Sequence, residues 1–146
     1  MEKYRIKDVS DLLGISTYTL RYYEKIGLLK FVKRDENGVR EFEPDDLMTL
    51  CTIIYLRKTG MPLKDIKDYL HLAEKGIDTI DQRKEMFLKQ KQKVQEEMTT
   101  LEKSMEVIDR KLNFYSEASK KHSMNVCQDE REKWLKDILA GKEKVQ

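Results

Sequence analysis

Apolar residues near the start of the chain recur at helical spacing and are interrupted by glycine. Residues 5–13 carry Ile, Val and Leu at intervals of three and four. Gly14 follows this stripe and supplies the positive φ that commonly ends a helix. Ser16 is suited to cap a second helix by accepting a backbone N–H bond, and Gly27 is placed to end it. The pattern therefore predicts two helices joined by a glycine-containing turn.

After the second helix the apolar residues no longer recur at helical spacing, and they form two short runs typical of extended strands. These runs span residues 28–32 and 39–42, and a polar segment containing Asn37 and Gly38 separates them. Asn-Gly between such runs is a strong hairpin signal, because both residues tolerate the positive φ of a tight turn. We therefore expect a small β-hairpin wing after the second helix.

Proline and glycine mark the ends of two further helices. Pro44 suits the first position of a third helix, with Asp45 and Asp46 near the positive end of its dipole. Gly60 is expected to close this helix, and Pro62 to open a fourth. The positions assigned to the buried sides are Leu47, Leu50, Cys51, Ile54 and Tyr55 in the third helix, and Ile66, Tyr69 and Leu70 in the fourth.

The segment from Asp81 to Ser116 lacks glycine and proline and carries a heptad repeat. The apolar positions are Phe87, Val94, Leu101, Ile108 and Tyr115 in one series, and Met98, Met105 and Leu112 in the other. The two series alternate by three and four residues, which is typical of a coiled coil. One helix cannot bury such a stripe alone, so its simplest partner is the same helix of a second subunit.

The remaining residues form a polar, lysine-rich tail. A short helix is predicted there, with Trp134, Leu135, Ile138 and Leu139 on one side. We expect it either to dock on the dimer or to have a role related to an effector. The expected domains are residues 1–75, which contain the first four helices and the wing, residues 76–116, which dimerise, and the tail 117–146. The predicted fold is thus mostly α, a winged helix-turn-helix followed by a long coiled-coil helix.

Composition narrows the class of protein only slightly. Charged residues make up 38% of the chain, but 29 Lys and Arg against 27 Asp and Glu leave a net charge of only +2. No segment resembles a signal peptide or a membrane span, so we expect a cytoplasmic protein with no membrane partner. Cys51 and Cys127 lie far apart without a CxxC pair, which argues against a disulfide framework or a zinc module. We expect no bound metal and no cofactor.

A helix-turn-helix followed by a wing is a device for reading DNA, because its second helix fits the major groove. Arg21 is suited to guanine or phosphate, and Thr17, Tyr18 and Tyr22 to phosphate oxygens or thymine methyls. Tyr23 shares a face with Leu20 and is assigned mainly to packing.

Three segments together resemble the MerR family of bacterial transcription regulators. They are Ser16–Leu28, then Gly38–Phe42 and Arg57–Ile66, and the stretch TLRYYEKIGLL at residues 19–29, which overlaps the first of them, is quite specific to the family. The resemblance covers residues 4–72 closely, and the heptad segment matches the position and length of the family's antiparallel dimerisation helix. It implies a short-tailed member of the family.

The resemblance also implies a mechanism. A homodimer binds a pseudo-palindromic promoter in double-stranded DNA and, in response to an effector or stress, bends and untwists it so that RNA polymerase can transcribe. Arg40 is then expected to serve the wing, and Arg57 to reach a phosphate from a second wing. The expected DNA contacts are Thr17, Tyr18, Arg21, Tyr22, Arg40 and Arg57.

The effector is not identified by the sequence. Metal-sensing members of the family use several cysteines, but here only Cys127 lies in a suitable loop, and a single thiolate is a poor soft-metal site. The four-cysteine cluster of iron–sulfur members is absent from the sequence. Electrophile-responsive members carry a cysteine where this chain has Tyr55, and Cys51 lies one helical turn earlier. Cys51 and Cys127 remain redox candidates, although a buried cysteine is more often core filler.

An organic effector is the other possibility. Some short members bind small ligands between the coiled coil and the DNA-binding domain. Tyr69, Tyr115 and Trp134, together with Phe87, are candidates to line such a pocket, although aromatic residues at these positions are more often packing. Multidrug-binding members carry a large additional domain that 146 residues cannot supply.

Two other classes of function compete with DNA binding. A scaffold protein could use the same coiled coil to pair with a different chain, but basic residues on the second helix and wing favour DNA. The sequence does not support an enzymatic function. His71 and His122 are isolated, and the sequence contains no phosphate loop, nucleophile elbow or pair of carboxylates in a catalytic setting.

Overall fold

The structure, a computed structural model, describes residues 2–145 and divides between Val94 and Gln95 into two compact units. Its elements are α1 (Ile6–Leu13), α2 (Thr17–Lys25), β1 (Lys33–Arg34), β2 (Arg40–Glu41), α3 (Pro44–Lys58), α4 (Leu63–Glu74), a 3-10 turn (Gly76–Thr79), α5 (Ile80–Lys121) and α6 (Gln128–Leu139). The predicted class, a mostly helical winged helix-turn-helix with a long following helix, is confirmed.

Local sequence signals account for the helix-turn-helix. Gly14 follows α1 in the left-handed conformation, with φ of 64°. The Ser16 side chain caps α2 by accepting the backbone N–H of Thr19 at 3.1 Å. Because Leu20 and Tyr23 then face the core, the opposite side of α2 is left in solvent.

The wing is a short antiparallel hairpin in which Arg34 lies opposite Arg40. The prediction of a first strand at residues 28–32 was wrong, since pairing begins only at Lys33. The apolar run instead supplies Leu28, Leu29 and Val32 to the core, so burial rather than strand pairing explains its composition. The second strand is also shorter than the predicted 39–42.

The core of the first unit is formed by residues from α1 to α4 and the segments between them. Its largest fully buried side chains are Val9, Leu20, Leu28, Leu29, Val32, Phe42, Leu50, Ile53 and Ile66. Phe42 is anchored further by two backbone hydrogen bonds with Tyr4, at 2.8 and 2.9 Å. Burial of each large apolar side chain contributes about 1.5–3 kcal/mol, so this cluster determines where α2 and the wing are held.

The buried side of α3 differs from the prediction. Leu50, Ile53 and Leu56 face the core, whereas Tyr55, which was assigned to the interior, is exposed. Apolar residues occupy several sides of this helix, so spacing alone did not identify the buried one. Cys51 is only half-buried.

The start of α5 is tied to the elements before it. The buried Gln90 amide donates to the Thr59 hydroxyl at 2.8 Å, which joins α5 to the end of α3. Tyr69 of α4 packs edge-on against Phe87, with ring centroids 5.2 Å apart. These contacts fix the first turns of α5 within the first unit.

The second unit contains the rest of α5 together with α6. The predicted heptad segment ended at Ser116, but α5 continues to Lys121. A small cluster of Phe114, Ala118 and Val126 joins the end of α5 to the loop that follows it. Within residues 2–145, no helix has an apolar stretch long enough to cross a membrane.

Candidate nucleic-acid interface

The exposed side of α2 carries four of the predicted DNA contacts. Tyr18 is 82% exposed and Tyr22 is 46% exposed, and Arg21 between them also faces solvent. Thr17 is half-buried in the first turn of the helix. The structure therefore brings an aromatic, hydroxyl-bearing and cationic surface together on one side of a helix whose other side is fixed in the core.

The structure places Arg40 differently from these residues. Its side chain is only 13% exposed, and its guanidinium forms two hydrogen bonds of 2.9 Å with the Glu24 carboxylate. A third N–H group donates to the Val32 carbonyl. Arg40 is thus directed into the junction between the wing and α2, and its hydrogen-bonding groups are engaged within the protein.

Two charged residues of the wing were missed by the sequence analysis. Arg34 donates to the Gly38 carbonyl at 2.6 Å and also pairs with Glu24, yet its side chain is half exposed. Lys33 beside it is exposed. The signal that would have identified them is a pair of cations two residues before the Asn-Gly pair, a spacing that places them on the first strand of the hairpin.

Asp35 organises the turn of the wing. Its carboxylate accepts the backbone N–H groups of Asn37 and Val39, each at 2.9 Å, and pairs with Arg5 at 2.8 Å. The hydrogen bond from Val39, reinforced by the Arg5 guanidinium, holds the pKa of the Asp35 carboxyl below its usual range. Asp35 therefore ties the tip of the wing to the residue before α1.

Arg57 lies at the end of α3, next to the turn that joins α3 to α4. It is exposed, and its guanidinium donates to the Met61 carbonyl at 3.1 Å, which leaves its other N–H groups available. Lys58 is also exposed, and its ammonium group lies 5.0 Å from the centre of the Tyr55 ring. This turn consequently presents two adjacent cations in the position expected of a second wing.

The three aromatic effector candidates have different surroundings. Tyr69 packs on Phe87, and Tyr115 is exposed along α5. Trp134 lines an open cleft of about 450 Å³ between α5 and α6, where the Arg110 guanidinium lies 4.7 Å from the centre of its ring. Of the three candidates, only Trp134 lines this cleft.

The cysteines are also in different settings. Cys51 is half-buried on α3, and Cys127 is half-buried at the start of α6, where it adopts a left-handed conformation with φ of 56°. Cys127 also lines the cleft beside Trp134. Among residues 2–145, no group of His, Cys, Asp and Glu side chains is arranged to hold a metal ion.

A helix with a fixed inner side and a cationic, aromatic outer side, followed by a hairpin wing, defines a winged helix-turn-helix protein that binds DNA. Comparison with known families agrees with this class. The model of the MerR HTH family regulatory protein matches residues 4–72, and the model described as MerR, DNA binding matches residues 47–111. The chain belongs to the MerR family and is a DNA-binding transcription regulator.

Relatives of known sequence and structure support the assignment. An uncharacterized HTH-type transcriptional regulator of Haemophilus influenzae is 40% identical over 115 residues, which cover 79% of this chain and 85% of that protein. The crystal structure of HiNmlR, a MerR family regulator lacking the sensor domain and bound to promoter DNA, matches with a TM-score of 0.77 at 38% identity. That match covers 84% of this chain and 93% of HiNmlR. A MerR family regulator from Listeria monocytogenes matches with a TM-score of 0.72 at 28% identity, covering 96% and 99%.

Proposed function

We propose that this protein binds a pseudo-palindromic promoter as a homodimer, with the exposed side of α2 in the major groove. The observation that carries the proposal is the grouping of Tyr18, Arg21 and Tyr22 on the one side of α2 that the core leaves free. The relative solved on promoter DNA has the same fold at 38% identity. We propose no catalytic role.

The predicted contacts divide into groups with different roles. Arg21 reads guanine or anchors a phosphate, while Thr17, Tyr18 and Tyr22 contact phosphates or thymine methyls around it. Arg57 contacts a phosphate from the turn after α3. Arg40 acts from within the protein, since its guanidinium is already bound to Glu24.

The dimer is proposed to form through α5. From Met98 onward its exposed heptad positions are Met98, Leu101, Met105, Ile108, Leu112 and Tyr115. A continuous apolar stripe in water is unfavourable, and an antiparallel coiled coil with a second copy would bury it. In this scheme residues 1–75 bind DNA, residues 76–116 dimerise and residues 117–146 dock on the dimer.

Regulation is proposed to act through the shape of the DNA. Smoothly bending a DNA site of about 20–30 base pairs costs on the order of 1–6 kcal/mol. Coupling to an effector typically supplies about 1–3 kcal/mol, which is enough to favour a bend at the lower end of that range. The bent and untwisted promoter would then bring the two DNA elements that RNA polymerase binds into alignment, so that the polymerase can transcribe in the cytoplasm. The cleft beside Trp134 is our candidate position for the effector, because it combines aromatic walls with the cations Arg110 and Arg131.

The test is binding of the purified protein to DNA from upstream of its own gene, measured by fluorescence anisotropy over a series of salt concentrations. We expect tight binding by a dimer and a steep loss of affinity with salt, because each phosphate contact contributes about 0.9 to the log–log slope. Arg21→Ala should weaken binding strongly. Lys133→Ala removes the same charge from the exposed surface of α6 and should not.

Other outcomes would favour different functions. If the association measured with this DNA does not depend on salt concentration, the result would support the alternative function, a scaffold protein whose coiled coil pairs with a different chain. Absence of binding to this DNA, with the dimer intact, would require selection from genomic fragments, and failure to select any sequence would overturn the proposal.

A further inference from the structure

The Glu24 carboxylate joins α2 to both strands of the wing. It accepts hydrogen bonds from Nε and Nη2 of Arg40, which lies on β2, at 2.9 Å. It also pairs with Nη2 of Arg34, which lies on β1. Arg34 and Arg40 are directly opposite each other in the hairpin. One carboxylate of α2 therefore pairs with two guanidinium groups that lie opposite each other on the two strands of the wing.

This arrangement resolves an electrostatic conflict within the wing. Like charges directly opposite each other in an antiparallel pair destabilise the hairpin. Glu24 lies between the two guanidiniums and neutralises part of their charge. Because the side chains of Glu24 and Arg40 are only 25% and 13% exposed, water screens this pair less than it screens a surface ion pair. Glu24 therefore helps to hold the short hairpin against α2, in addition to the Asp35–Arg5 pair and the backbone hydrogen bonds between Phe42 and Tyr4.

Glu24 lies close to the side of α2 that is proposed to contact DNA. It follows the buried Tyr23, and Arg21 lies less than one helical turn before it on the exposed side. The contact of Glu24 with the two arginines therefore influences the distance and angle between the exposed side of α2 and the exposed Lys33 of the wing. Two surfaces held in the correct geometry bind one duplex together without a further loss of conformational freedom.

We propose that Glu24 is a positioning residue for DNA binding, which holds the wing so that α2 and the wing contact the duplex at the same time. This inference rests on the proposed function. It makes a prediction opposite in sign to that of simple electrostatics. If Glu24 only placed a negative charge near the phosphates, its removal would release two arginines and strengthen binding. If Glu24 positions the wing, its removal weakens binding.

The experiment measures the affinity of the full chain for the promoter duplex as a function of salt. For Glu24→Gln we expect about a threefold or greater loss of affinity, with a slope shallower by about 0.9 for each phosphate that the wing no longer reaches. Glu36→Gln is the matched control, because it removes the same charge from an exposed position in the turn of the wing. Its affinity should stay the same or rise.

A double-mutant cycle separates positioning from a general loss of stability. Lys33→Ala should weaken binding in the wild-type background and have little further effect in Glu24→Gln, where the wing no longer reaches the duplex. A partly unfolded variant would bind with fewer active molecules, but its salt slope would be unchanged. If Glu24→Gln does not fold, Arg40→Lys keeps the positive charge, loses the two-pronged pairing with Glu24, and should show the same shallower slope.

The outcomes distinguish the two proposals. If the wild-type protein binds and Glu24→Gln binds more tightly with a steeper slope, or is unchanged, the positioning role is overturned and the proposed function stands. An unchanged Arg40→Lys would likewise overturn it. If the wild-type protein binds no DNA, the proposed function fails and the role of Glu24 fails with it.

Discussion

The exposed stripe of α5 makes the proposed dimer sensitive to a single side chain. Leu101 lies near the middle of α5 and is 68% exposed. Two antiparallel helices that overlap along their length bring the two copies of Leu101 near each other. Leu101→Ala keeps a strong helix former at this position, so the helix itself should stay intact.

The expected loss of dimer stability follows from the part of the Leu101 side chain that is exposed in a single subunit. Full burial of a leucine side chain contributes about 1.5–3 kcal/mol, so burial of the exposed part of Leu101 contributes about 1–2 kcal/mol per subunit. Two copies per dimer give about 2–4 kcal/mol, which corresponds to a dimer dissociation constant raised by about 30-fold to 1,000-fold.

Sedimentation equilibrium over a concentration series measures this dissociation constant directly. Circular dichroism of the same samples checks that α5 remains helical. Lys103→Ala is the control, because Lys103 is exposed on the same helix and lies outside both heptad series. The reasoning is refuted if the wild-type protein is a monomer, or if Leu101→Ala and Lys103→Ala dimerise equally well.

Three further predictions concern the fold that supports the interface. The lowered pKa of Asp35 means that its contribution to stability is present above the unfolded-state value of about 3.9 and is lost as the pH falls through the folded-state value. Thermal unfolding from pH 7 to pH 2 should show an acid-induced loss that Asp35→Asn reduces; an identical pH profile for the variant would contradict this. Phe42→Ala should lower the free energy of unfolding by about 3–5 kcal/mol in urea titrations, and a loss below about 1 kcal/mol would show that Phe42 does not anchor the core. Gly14→Ala should cost about 1–2 kcal/mol in the same titration, because φ is 64° although no neighbouring atom lies within 4 Å of the added Cβ; a neutral effect would show that the turn adjusts its backbone.

The parts of the fold that depend on nearby residues were predictable from the sequence. The end of α1 at Gly14, the cap at Ser16 and the positive φ of Gly38 in the turn of the wing each involve groups a few residues apart. The tight turn expected at Asn37-Gly38 was wrong in detail, because Asn37 lacks the positive φ and the backbone N–H of Asp35 donates to the Val39 carbonyl around a longer loop. Spacing also identified the exposed side of α2, since Leu20 and Tyr23 determine which side is buried. Short-range hydrogen bonding and helical period suffice for these features.

The features that were missed depend on contacts between distant residues. The run 28–32 has the composition of a strand, but its side chains fill a core that residues as far along as Ile66 complete. Tyr55 and Ile53 are both apolar, and only the packing of α3 decides which of them is buried. The engagement of Arg40 by Glu24 joins residues 16 apart in sequence, so composition suggested a free cation where the fold forms an ion pair.

The same contacts explain why the net charge of +2 gave little indication of a DNA partner. Carboxylates of the wing and its neighbours are bound within the fold, with Asp35 paired to Arg5 and Glu24 to two arginines. The Asp35–Arg5 pair cancels locally, whereas Glu24 neutralises only part of the charge of its two arginines, so one positive charge remains beside the wing. The cations that remain exposed, such as Arg21 and Lys33, lie where the proposal places the duplex. We therefore expect the affinity of this protein for DNA to depend on which charges the fold leaves unpaired, more than on the total.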